Sequence, residues 1–167
     1  KELKPLIVPI LSLMNESFKN IYGYVPLDHQ EMKDFANRYL AVIDPRFVKI
    51  IISKDKVVAF LLGIPSLTKG IQRAKGKLFP TGFIHILRSV KKTKHLDVML
   101  IGVHPDHRNV GLVSPVLVKM IQSSRIAGFN EIETHLILES NAAIRNIMEH
   151  MGATIRKRFR VFQKSLA

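Results

Sequence analysis

Apolar and polar positions along this chain fall into short blocks whose repeat switches between helical and strand spacing. Leu6 to Ile21 carries apolar residues at helical spacing and predicts a first helix; Asp28 to Val42 predicts a second. Asp28 stands where an N-cap belongs, with Glu31 three residues on for a capping box. Asp44-Pro45 stops that helix, because the residue before a proline is pushed out of the helical region. Phe47 to Ser53 and Val57 to Ile64 are rich in β-branched residues, and with Lys54-Asp55-Lys56 between them they predict an antiparallel hairpin. Pro65 to His95 breaks the rhythm with Gly70, Gly76, Pro80 and Gly82, and reads as an excursion holding short helices. The pattern then predicts strand Leu96–Val103, helix Leu112–Ala127, strand Glu131–Leu138, helix Ala142–Met151 and strand Thr154–Gln163. Gly128 and Gly152 are placed to stop the two helices. Strands interleaved with helices over this length predict one α/β domain.

The chemistry concentrates at one junction. The apolar run Val98 to Val103 ends at Pro105, and Arg108 and Gly111 follow before the helix beginning at Leu112. A helix start presents unpaired N–H groups and the positive end of the helix dipole, which together make an anion site. Gly111 would let the backbone approach a phosphate closely. The competing reading is an ordinary strand-to-helix turn.

The pattern V-x-P-x-x-R-x-x-G, running from Val103 to Gly111, resembles motif A of the GNAT (Gcn5-related N-acetyltransferase) acyltransferases. Leu138-Glu-Ser-Asn141, followed by a helix ending at Gly152-Ala153, resembles their motif B. The segments Tyr22-Gly-Tyr-Val-Pro26, Ile43-Asp-Pro45, Leu78-Phe-Pro80 and Ile137 to Asn141 also resemble the C-terminal half of longer GNAT-like bacterial proteins. The resemblance implies an α/β fold with a mixed, mostly antiparallel sheet, splayed between its two middle strands and flanked by helices on both faces. It implies acetyl-CoA or CoA as cofactor, its pantetheine arm lying in the splay and pairing with backbone at Ile101 and Val103. The diphosphate would sit on Arg108, Asn109, Val110, Gly111, Leu112, Val113 and Ser114, and Asn141 would donate to the arm. Residues 1–167 then form a single acyl-CoA-binding domain with an insertion at about 65–95. A GNAT domain has a strand before its first helix and this chain opens at or just before a helix, so it reads as a fragment of a longer protein.

Acyl transfer to an amine needs a base to strip the ammonium proton and donors where the oxyanion develops. Asp97 matches the position of the catalytic Glu in the histone-acetyltransferase branch; a solvent-facing strand carboxylate is the alternative. Glu139 is the rival base. Asn141 has a second reading as N-cap of the following helix. Gly102 is either a bulge that splays the sheet or a glycine kept for packing. His104 and His107 read as loop braces, and the seven His show no metal spacing. His135 reads as a half-buried sheet residue, and Met148 and Met151 with Ile144 and Ile147 as core. Two positions depart from the family pattern. Val113 replaces a small residue and would crowd the diphosphate unless it points into the core. Met148 holds the place of a Tyr that protonates the leaving thiolate, and Met cannot donate a proton.

Composition adds little until charge is considered. A 47% hydrophobic content fits a globular chain, and no apolar run approaches the ~20 residues that span a bilayer. Without Cys there are no disulfides, thiolate nucleophiles or Cys-based zinc sites; cytoplasm is the default compartment. The net charge of +13 gathers in Lys69–Lys77, Arg88–Lys94 and Arg156–Arg160, and such patches attract polyanions. CoA, nucleic acid and an anionic membrane surface are the candidates. No zinc-finger, RNP or KH pattern supports nucleic acid. The expected function is transfer of an acyl group, chiefly acetyl, to a small-molecule or peptide amine. The alternatives are an inactive GNAT-like binding module of a larger protein and an RNA- or aminoacyl-tRNA-associated transferase. The Pro65-to-His95 excursion would serve as a lid, a homodimer contact or a funnel for acidic substrates.

Overall fold

The computed structural model describes residues 3–39, 43–77, 79, 81–162 and 164–165. Residues 40–42, at the end of the second sequence-predicted helix, lie outside them. The chain divides into two compact parts, Lys1–His135 and Leu136–Ala167.

The first part is built on a four-stranded sheet in the order β1 (Val48–Ser53), β2 (Lys56–Pro65), β3 (His95–Val103), β4 (Glu131–Thr134). β1–β2 and β2–β3 are antiparallel, and β3–β4 is parallel. The β1–β2 turn sets Lys54 and Asp55 at φ 48° and 61°, left-handed at both central positions as a tight hairpin requires. A short 3-10 turn leads into α1 (Ile7–Phe18), and α2 is His29–Tyr39. The predicted capping box forms reciprocally. The Glu31 N–H donates to Asp28 Oδ1 at 2.8 Å, and the Asp28 N–H donates to Glu31 Oε2 at 2.8 Å. α5 (Val113–Ile126) ends at Gly128, φ +82°, where the Phe129 N–H returns to the Ser124 carbonyl.

Alternation along β2 places the helices on opposite faces of the sheet. Phe60 packs with Leu11, Leu13 and Met14 of α1 and Met32 of α2. Leu61, one residue on, faces the other way; Gly63 shares its parity, and a Cβ there would meet Met120 of α5 at 3.2 Å. Leu61, Leu96, Val98, Val116, Leu117 and Met120 are buried on that side. The excursion between β2 and β3 forms α3 (Thr68–Arg73) and α4 (Gly82–Lys92), which pack chiefly on one another.

Three expectations are corrected. Gly102 is not the bulge: it pairs with Phe60, and a side chain there would collide with the Phe60 ring. The irregularity falls at Met99, which opposes no residue because Leu62 pairs with Leu100 and Gly63 with Val98. β4 ends at Thr134 rather than Leu138, and His135 just beyond it is exposed.

The second part contains α6 (Ala142–His150), ended by Gly152 at φ +79°. Thr154–Gln163 forms no strand among its described residues. Three arginines, Arg156, Arg158 and Arg160, on alternate positions give a segment of high β-propensity no reason to pair with itself, and an unpaired strand is not stable alone. Ile144, Ile147 and Met148 are half-buried and Met151 is exposed, so none of the four is fully buried as a core position would be.

Candidate cofactor site

The sheet opens along β3. His95 to Val98 pair with Glu131 to Thr134, and the His135 N–H donates to the Val98 carbonyl as the last rung. β3 then runs on to Val103 without β4 beside it. In an antiparallel ladder, hydrogen-bonded and non-bonded pairs alternate. The His104 N–H donates to the Val58 carbonyl, so Phe60–Gly102 is a bonded pair, and Leu61–Ile101 and Ala59–Val103 are non-bonded pairs. The backbone groups of Ile101 and Val103 therefore point away from β2, into the opening. The Val103 carbonyl already accepts from the Ser17 hydroxyl at 3.0 Å.

At the top of β3 the chain makes a 3-10 turn, Pro105–His107, before α5. The His107 and Arg108 N–H groups bond within that turn, to the His104 and Pro105 carbonyls. From Asn109 onward the amides are free: among the described residues, no N–H from Asn109 to Ser114 donates to a group of the chain. Asn109 (φ 67°) and Gly111 (φ 78°) are left-handed on either side of Val110, a backbone alternation that gathers successive N–H groups into an anion-binding hollow. Nothing lies within 4 Å of a Cβ built at Gly111, so it is the φ, not crowding, that asks for glycine. Pro115, third in the helix, removes an N–H that would have been unpaired anyway. Val113 is 8% exposed and turned into the core, so it leaves the hollow clear.

The mouth is held by contacts that sequence reasoning missed. The last turn of α1 is tied to the top of β3 through Ser17. The Arg108 guanidinium donates to the Ser17 carbonyl at 3.1 Å, and Glu16 Oε2 lies 3.0 Å from His104 Nε2. His104 Nδ1 accepts from the Asp106 N–H at 3.3 Å, which assigns the other ring nitrogen as the donor to Glu16. His104 is thus a brace, as expected. His107 stacks edge-on against it at 5.6 Å, its Nδ1 buried without a partner among the described residues. Arg108 holds α1 rather than standing free. No single residue type announces such ties, because they join positions 86 and 91 residues apart. Below the mouth, Asn15 organises the following loop. Its Oδ1 accepts from the Tyr24 hydroxyl at 2.6 Å and the Leu27 N–H at 3.0 Å. Burial pushes the Tyr24 phenol above its ordinary pKa.

Asp97 lies on β3 opposite Glu133 of β4 and Ile64 of β2, one residue from the apex where the sheet parts. At ~3.3 Å per residue, the strand from Asp97 to Val103 spans about 20 Å. In the second part, the Glu139 carboxylate takes a hydrogen bond from Arg158 at 3.2 Å, and the Arg145 guanidinium donates to the Glu139 carbonyl. Asn141 is the N-cap of α6, its Oδ1 accepting from the Ile144 N–H at 3.4 Å. Met148 offers no proton donor.

Comparison with solved structures gives the GNAT acetyltransferase fold. An aminoglycoside acetyltransferase from an uncultured soil metagenomic sample, solved with sisomicin, matches with a TM-score of 0.59. The match covers 98% of this chain and 90% of that one at 13% identity. The N-acetyltransferase from Staphylococcus aureus Mu50 matches at a TM-score of 0.58 and 14% identity, covering 89% and 78%. AAC(6')-Iy, solved with a CoA-containing bisubstrate analogue, matches at 0.58 and 12% identity, covering 98% and 94%. Among curated proteins, the bacterial ceramide synthase of Caulobacter vibrioides is 27% identical over 163 residues, 94% of this chain and 42% of its own length. Protein YghO of Escherichia coli is 24% identical over 161 residues, 92% of this chain and 41% of its own. The chain thus spans about two fifths of the curated relatives it matches. No family model matches it.

Proposed function

We propose that this chain binds acyl-CoA and transfers the acyl group to an amine. The observation that carries the reading is the run of unpaired amides from Asn109 to Ser114 at the head of the open half of β3. Asn109, Val110, Gly111, Leu112, Val113 and Ser114 would hold the diphosphate through main-chain N–H groups and the helix dipole. Ile101 and Val103 would pair with the amides of the pantetheine arm. Bound acyl-CoA supplies a thioester whose carbonyl carbon is open to an amine and whose sulfur departs as the thiol. Among this chain's carboxylates, Asp97 is the better candidate to take the ammonium proton, since Arg158 engages Glu139. Arg108 acts as a positioning residue that fixes α1 against the loop. Asn141 remains a donor candidate through its side-chain NH2. The test is calorimetry with acetyl-CoA: binding that weakens in Gly111→Val supports the reading. No heat at about millimolar ligand, where an affinity near 4 kcal/mol would register, removes it.

A second reading sharpens the acyl group. A narrow cavity of about 50 Å³ lies between α1, α2 and the sheet, lined only by apolar side chains, among them Ile7, Leu11, Met14, Phe35, Phe60 and Leu100. At that size it admits only a short aliphatic group, and together with the similarity to a protein named ceramide synthase this favours an aliphatic substrate portion over a polar one. Binding of butyryl-CoA tighter than acetyl-CoA would select it; equal affinities would reject it.

A further inference from the structure

The α3–α4 hairpin leaves much of its apolar surface in solvent. Its buried positions are Gly70, Gly82 and Ser89. A Cβ at Gly70 would lie 2.8 Å from the Ile86 backbone and 3.0 Å from Ser89, so the two helices meet through small residues. Ile86 and Val90 are half-buried, but four large apolar side chains stay outside: Phe79 is 82% exposed, Leu87 55%, Ile71 48% and Phe83 46%. An ordinary amphipathic helix pair buries these groups and exposes the small ones. Phe79 and Phe83 lie 6.5 Å apart, centroid to centroid, and with Leu87 they make one apolar surface spanning the turn and the first half of α4. A patch of this kind marks an interaction site.

Charge identifies what it meets. Between Asp55 and Asp97 the sequence holds no Asp or Glu, and the Lys69–Lys77 and Arg88–Lys94 groups flank the apolar tip on both sides. Aromatic and aliphatic residues at the centre with cations around them match the interface of an anionic bilayer, where the rings enter the acyl boundary and the cations meet the headgroups. A nucleic acid would use the cations and leave Leu87 and Ile71 in water. No helix among the described residues is long and apolar enough to cross a membrane, so the contact is a surface one. We propose that the α3–α4 hairpin docks this protein onto anionic phospholipid, with Phe79, Phe83 and Leu87 inserted. The proposal does not depend on acyl-CoA binding.

The test is sedimentation of the full chain with vesicles of phosphatidylcholine, with and without phosphatidylglycerol. Expected is partitioning to the phosphatidylglycerol vesicles alone. Lys75→Gln with Lys77→Gln should weaken it by roughly fivefold per charge. Phe79→Ser with Leu87→Ser should weaken it about tenfold or more, with unchanged far-UV circular dichroism, since both side chains are exposed. Absence of partitioning at low salt overturns the proposal. So does partitioning that the Phe79/Leu87 variant leaves intact, and so does retention of an RNA duplex in preference to the vesicles.

Discussion

The two halves of β3 have the same strand geometry and different lives. From His95 to Val98 the strand is laddered on both sides, with Leu96 and Val98 buried; from Met99 to Val103 it is laddered on β2 alone. The residue types barely differ. What separates the halves is the ending of β4 at Thr134, next to a bulge at Met99 that resets which side chains face α1. An open ladder is a liability unless something covers it or binds it. Here Ser17 caps one carbonyl and leaves the Ile101 groups facing the gap. The comparison teaches that the binding capacity of this sheet is an interruption of pairing, set by a neighbouring strand rather than by the strand that carries it.

The largest effect expected is on the pair that seats the open half. Phe60 is 1% exposed and its ring covers Gly102. Phe60→Ala should cost about 3–5 kcal/mol in chemical denaturation. Gly102→Ala should cost about 1–3 kcal/mol by overpacking, and much less in a Phe60→Leu background. Additive costs in the double variant would mean that the ring does not fix the upper strand.

Next comes the loop itself. Gly111 at φ +78° carries the turn into α5, and Gly111→Val places a β-branched residue where L-residues are strained. Acetyl-CoA affinity should fall at least about tenfold, equivalent to roughly 1.4 kcal/mol, by calorimetry. Gly76, also left-handed and in open space but outside the Asn109–Ser114 loop, is the control, and Gly76→Val should leave affinity unchanged. Equal losses at both positions would dissolve the distinction between the open half and the rest.

These contrasts bear on what could be read before folding. The strand–loop–helix succession, the capping box at Asp28 and Glu31, and the glycine stops at Gly128 and Gly152 were legible, because each depends on residues within a few positions of one another. The amide run was legible for the same reason. The position of the bulge was not, since Gly102 is glycine for the sake of a ring from β2. The extents of β4 and of the Thr154–Gln163 segment were misread because strand propensity reports a fit to a pleated neighbour and is silent on whether one is there. The exposed apolar side chains of α3 and α4 were equally hidden: helical periodicity locates an apolar face without saying how much of it stays exposed.

A smaller effect probes the brace. Ser17→Ala removes the hydroxyl that meets the Val103 carbonyl, which should cost about 1 kcal/mol in stability. Hydrogen exchange should then rise at Leu100 and Gly102, whose N–H groups bond to β2, while Leu96 and Val98 remain protected. Uniform protection along β3 would show that β2 alone holds both halves.

The smallest effect belongs to the laddered side, where β1 begins. Asp44 accepts from the Arg46 N–H at 2.9 Å and from its guanidinium at 2.7 Å, and the Arg46 side chain holds its carboxyl below the ordinary value. A carboxylate lowered on folding stabilises the protein above its unfolded pKa, near 3.9, and that contribution disappears as pH falls through the folded value. Arg46 is largely exposed, so solvent screening keeps the pair's contribution small. Asp44→Asn should therefore lower stability slightly at neutral pH and flatten the acid limb below about pH 4. Because the Asn side chain still accepts from the Arg46 N–H, the turn into β1 should survive, and acetyl-CoA affinity with it. A loss of affinity in this variant would couple the closed side of the sheet to the open one, and the independence of the two halves of β3 would fail.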